Sequence, residues 1–89
     1  MRFTVIWTAP AEQNLAAVWM AALDRNAVTS AANIVDQLLA EDPETRGEAR
    51  FDTVRSFVLV PLGLDFEVVE LDRIVYVLSV WHAAAEESS

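Results

Sequence analysis

The chain has no cysteine, no lysine, a single histidine and only two glycines among 89 residues. Without cysteine there is no disulfide and no thiolate metal site, so the core alone must hold the fold. One histidine leaves mainly carboxylates as metal ligands, and these are spread over loops and helix surfaces; no metal and no cofactor is expected. Gly47 and Gly63 do not make a phosphate-cradling glycine loop. No apolar run reaches the ~18 residues needed to cross a bilayer, and the opening from Met1 to Trp7 lacks the long apolar segment of a secretory signal. A cytoplasmic location with no membrane contact is expected.

Basic charge is also scarce. Six arginines stand against fourteen acidic residues, a formal net charge of −8. Such a field repels phosphate backbones at long range, so direct binding of free nucleic acid is not expected, and a basic protein partner or simple solubility fits better. Apolar residues, by contrast, make up 54% of the chain. That is ample for one small core and rules out disorder by composition. It exceeds what a domain this size readily hides, so an obligate homodimer or a complex is expected. Residues 1–82 read as one domain and 83–89 as a mobile tail.

Arg2 to Trp7 alternates Phe3, Val5 and Trp7 with Thr4 and Ile6, a short strand. Thr8 as N-cap and Pro10 in the first turn start a helix whose stripe is Leu15, Val18, Trp19, Ala22 and Leu23, expected to lie on a sheet through Trp19. Asp24 or Asn26 caps a second helix with the face Val28, Ala31, Ile34, Val35, Leu38 and Leu39, ending before Pro43. The short connection makes an antiparallel hairpin, and its many alanines allow close approach of the axes. Glu41 to Asp52 is polar and broken by proline and glycine, and reads as a loop. Strands follow at Val54 to Val60, Leu64 to Val69 and Ile74 to His82, with Pro61-Leu62-Gly63 and Glu70 to Arg73 as turns. The last strand is apolar on both faces, which suggests the centre of the sheet. The predicted class is α+β, an antiparallel-type sheet of about four strands in the order β-α-α-β-β-β with a helical hairpin on one face.

Half of the arginines fall between Arg46 and Arg55, among five carboxylates from Glu41 to Asp52. They read as a solvated loop with weak local ion pairs, or as a group in which Arg46, Arg50 and also Arg73 bind an anion or a partner. Arg55 is expected to pair with Glu67 or Asp65 across the hairpin, unless it serves in catalysis. His82 beside Trp81 reads as a strand-end residue. It is also the only histidine, the one side chain whose ordinary pKa, near ~6.5, suits both taking and giving a proton near neutral pH.

The order of elements, the opening Val5-Ile6-Trp7-Thr8-Ala9-Pro10-Ala11-Glu12, Pro43 and Gly47 in the helix-to-sheet loop, Val54-Arg55 before the hairpin, and the ending Tyr76-Val77-Leu78-Ser79-Val80-Trp81-His82 resemble the RelE/ParE superfamily of bacterial toxin–antitoxin toxins. The resemblance implies a growth-inhibiting toxin neutralised by a cognate antitoxin, whose C-terminal segment wraps it as a helix or an added strand. It implies two targets: RelE-like members cleave mRNA in the ribosome, and ParE-like members inhibit DNA gyrase by protein contact. Arg55 and His82 match the family's hairpin arginine and terminal histidine. The hairpin departs from the family, with Leu62-Gly63-Leu64-Asp65-Phe66 where tyrosine-arginine is usual. The missing arginine and the acidity favour a ParE-like toxin with a gyrase-type target over a ribosome-dependent mRNA interferase or a non-toxic binding domain of the same fold.

Overall fold

The computed structural model describes residues 2–51 and 53–83. The element order is β1 (Thr4–Trp7), α1 (Ala9–Ala21), α2 (Arg25–Glu41), a 3-10 turn (Pro43–Thr45), β2 (Glu48–Phe51), β3 (Val54–Leu59), β4 (Leu62–Val69) and β5 (Ile74–His82). Most of the mobile-tail expectation falls on residues 84–89, outside the described residues.

Both helices begin where side chains can replace missing backbone partners. The Thr8 hydroxyl accepts from the Ala11 N–H at 3.3 Å and donates to the Val77 carbonyl at 2.8 Å, so one residue caps α1 and fixes it to β5. Asp24 caps α2 through the Ala27 N–H at 3.0 Å. Arg25 then closes α1 from outside, donating to the carbonyls of Trp19 and Met20 at 3.2 and 3.1 Å. Its guanidinium lies 4.6 Å from the Trp19 ring centroid.

The sheet has five strands in the order β1-β5-β4-β3-β2. β1 runs parallel to β5, and every other pairing is antiparallel. The additional strand is β2, inside the stretch expected to be a loop. Gly47 makes it feasible: at φ 68°, with a substituent there only 2.1 Å from the Ser56 carbonyl oxygen, the backbone turns tightly against β3. Charged Glu48 and Arg50 concealed the strand in the sequence, yet charge is common on an edge strand because it discourages pairing with foreign strands. β4 also starts earlier than expected, at Leu62.

β4 occupies the middle of the sheet, and β5 is interior but not central. Leu62, Leu64 and Phe66 of β4 are fully buried with Val75 and Val77 of β5 against Val28, Val35 and Leu39 of α2, and Val80 is nearly so. β5 keeps Val80 on the covered face because Leu78 has no partner on β4. Its other side, with Tyr76 and Trp81, is only half-buried, because the helices cover one face of the sheet alone. Trp19 also departs from expectation. It is 40% exposed, because it faces Arg25 and the space between the helices. Close packing of the two helices is likewise not realised along their length: a groove of about 720 Å³ lies between them.

Candidate functional site

Two surfaces present built features, and β4 separates them. Its alternation sends Leu62, Leu64 and Phe66 to the core and Gly63, Asp65 and Glu67 to the uncovered face. There Asp65 is the centre of a polar row across four strands. The Ser56 hydroxyl of β3 donates to Oδ1 at 2.5 Å and the Ser79 hydroxyl of β5 to Oδ2 at 3.1 Å. Arg50 of β2 donates to the Ser56 hydroxyl at 3.3 Å and lies 3.6 Å from the Asp65 carboxylate. Beside this row the Trp81 ring covers Gly63, where any added Cβ would lie 2.3 Å from the indole nitrogen. On the other side the Thr53 hydroxyl donates to Glu67.

The expected pairing of Arg55 with Asp65 or Glu67 does not form. Register places Arg55 opposite Phe66, hence on the covered face, whereas Asp65 and Glu67 stand on the other. Its guanidinium donates to the Arg46 and Gly47 carbonyls at 2.9 and 3.0 Å, clamping the turn that leads into β2. His82 pairs opposite Leu62 and is exposed near Pro61 and Ala27. Arg55 and His82 thus lie two strands apart in the sheet order and four positions apart along β4, roughly 13 Å of strand at ~3.3 Å per residue. They do not meet at one reaction centre.

The remaining arginines do not converge either. Arg50 stands on the uncovered face, Arg46 is in the loop before β2 with its Nε buried and unpartnered, and Arg73 is in the β4–β5 turn, 5.2 Å from the Phe3 ring centroid. Near Arg73 the Glu44 carboxyl is pushed above its ordinary 4.5 by a hydrogen bond with Glu70 and then by the Glu70 charge; Arg73 pulls the other way. Among the described residues no three potential ligands are grouped to hold a metal.

The second surface is the groove between α1 and α2. Leu15, Ala16, Trp19 and Met20 of α1 form an apolar wall, and Thr29, Asn33 and Asp36 of α2 a polar one, over Val28 and Ala32. The Trp7 indole N–H donates to Asp36 at 3.0 Å, tying β1 to the groove's end. Sequence reasoning missed this surface because Trp19 read as the contact of α1 with the sheet. The signal was present in α2, where Thr29, Asn33 and Asp36 share a helical face beside the apolar one.

The fold is shared with chains of known RelE and ParE structures. The RelBE2 toxin–antitoxin complex of Mycobacterium tuberculosis contains a chain that superposes with a TM-score of 0.76 at 19% identity, covering 92% of this chain and 99% of that one. A chromosomal ParDE system of P. aeruginosa gives 0.66 at 20% identity, covering 92% and 97%. The intact RelBE complex of E. coli gives 0.65 at 16%, covering 93% and 99%. No family model and no curated protein matches the chain.

Proposed function

We propose that this chain is the toxin of a type II toxin–antitoxin module, acting in the cytoplasm by gripping a protein target of the gyrase type and silenced by a cognate antitoxin. The shared fold with RelE and ParE chains supports the toxin reading. Dispersal of the candidate catalytic groups supports protein contact over RNA cleavage. Metal-free cleavage of RNA needs a base, an acid and cations around one phosphate. Here Arg55 is spent on two loop carbonyls, Arg50 is engaged with Asp65 and His82 stands at the far end of β5. A carboxylate at the middle of the uncovered face repels the phosphate that a nuclease would have to hold.

The test is induced expression in a bacterial host. Growth arrest, relieved by co-expressing the neighbouring reading frame, is expected. Unimpaired growth with abundant folded protein would refute the toxin reading.

A further inference from the structure

The uncovered face of the sheet is banded. Register sets Val58, Gly63 and Trp81 in one row across β3, β4 and β5, Ser56, Asp65 and Ser79 in the next, and Glu67, Tyr76 and Ile6 in a third that reaches β1. Gly63 has no left-handed backbone to accommodate, so its missing side chain serves the approach of Trp81: three indole atoms lie 2.3 to 2.8 Å from where a Cβ would stand. A glycine inside a strand weakens it unless something must come close. The half-buried ring thus lies across the strand as a platform, with Val58, 55% exposed, beside it. Negative charge is left over on this face. Asp65 is answered by Ser56, Ser79 and Arg50, but Glu67 has only the Thr53 hydroxyl and Glu48 stands exposed on the edge. Among the described residues no cation pairs with either. Glu67 is four residues along β4 from the platform at Gly63, about 13 Å at ~3.3 Å per residue.

We infer that this face takes an extended, arginine-bearing segment of a basic partner protein, with one guanidinium stacked on Trp81 and a second cation at Glu67. The inference rests on the protein-contact reading above and adds the place of the contact and the chemistry of the partner. A planar guanidinium stacks on an indole face, which a compact, strongly hydrated ammonium does less well. Side chains four residues apart on an extended segment share one side and span the same distance as Gly63 to Glu67. The net charge of −8 draws such a segment in and repels a phosphate backbone.

The test uses the full chain and three labelled peptides of about twelve residues that differ only at two positions four apart, both arginine, both lysine or both glutamate. Fluorescence anisotropy should show the arginine peptide binding about 3-fold more tightly than the lysine peptide and about 10-fold more tightly than the glutamate peptide, the latter preference fading with salt. Trp81→Thr and Glu67→Gln should each weaken the arginine peptide about 3-fold, whereas Leu23→Ser, at a fully exposed position between the helices, should not. Val58→Lys sets a like charge beside the ring at an exposed site and gives the same reading if Trp81→Thr does not fold by circular dichroism. No binding, no preference for arginine over glutamate, or binding indifferent to Val58→Lys and Glu67→Gln would overturn the inference. So would tighter binding of a twelve-nucleotide RNA, or a homodimer that Val58→Lys dissociates, because the face would then have another occupant. Growth arrest is read separately, so arrest without an arginine preference removes this inference and leaves the toxin reading standing.

Discussion

The two faces of the sheet solve the burial problem differently. On the covered face Leu62, Leu64 and Phe66 of β4 and Val75 and Val77 of β5 are aliphatic or aromatic and fully enclosed, and the helices above them part to leave an apolar groove. On the uncovered face the same strands carry Asp65, Glu67 and Ser79, and the polar atoms satisfy one another along the surface. Both sides leave apolar area in the open, Trp19 and Met20 at the helices and Ile6 and Val58 on the sheet, but the uncovered sheet face also carries a polar row whose hydrogen bonds are made within the chain. A partner gains most by covering apolar surface that has no competing internal partner. On the sheet surface Arg50 faces the Asp65 carboxylate 3.6 Å away.

The contrast can be broken most severely through the wall that both faces share. Phe66 is fully buried beneath the helices, so Phe66→Ala should cost about 3–5 kcal/mol of stability in chemical denaturation. Next is the hem of the uncovered face. Gly47→Ala places a Cβ against the Ser56 carbonyl at a positive φ, and should cost about 2 kcal/mol or more with early loss of protection in β2 by hydrogen exchange. Asp65→Ala strands the Ser56 and Ser79 hydroxyls and Arg50; a loss of about 1–2 kcal/mol is expected, less for Asp65→Asn, which keeps an acceptor. On the helical side Trp7→Phe removes a single exposed hydrogen bond to Asp36, worth about 0.5 kcal/mol. A larger loss there than at Asp65 would reverse the ranking of the two faces.

The smallest effect belongs to neither face. Glu44 titrates above its ordinary 4.5 in the folded chain because of Glu70. Its contribution to stability is complete below the unfolded value and disappears as pH rises through the folded one. Urea titrations of wild type and Glu44→Gln across the acidic range should show the wild type losing stability relative to the variant as pH climbs through that window. A pH-independent difference would remove the coupling to Glu70.

Much of this was legible from residue pattern. Thr8, Pro10 and Asp24 announced the helix starts, and the alternation in Leu64 to Val69 put Asp65 and Glu67 outside. What stayed hidden depended on register or on tertiary contact. Arg55 lies one residue from Ser56, yet pairing opposite Phe66 reverses its face and hands Asp65 to Arg50 instead. β2 was obscured because its charges mimic a loop, and its geometry depends on Gly47 meeting a backbone that sequence does not place beside it. Trp19 fitted an apolar stripe by period alone; Arg25, six residues on, holds it at the groove instead.

The central claim is that the chain acts through a protein-gripping surface and that its sheet face does not cut RNA. It is tested most directly by adding purified protein in parallel to a translating ribosome mixture and to a gyrase supercoiling reaction. Intact mRNA with blocked supercoiling is the predicted result. Cleaved mRNA, with cleavage abolished by His82→Ala and supercoiling untouched, would contradict it.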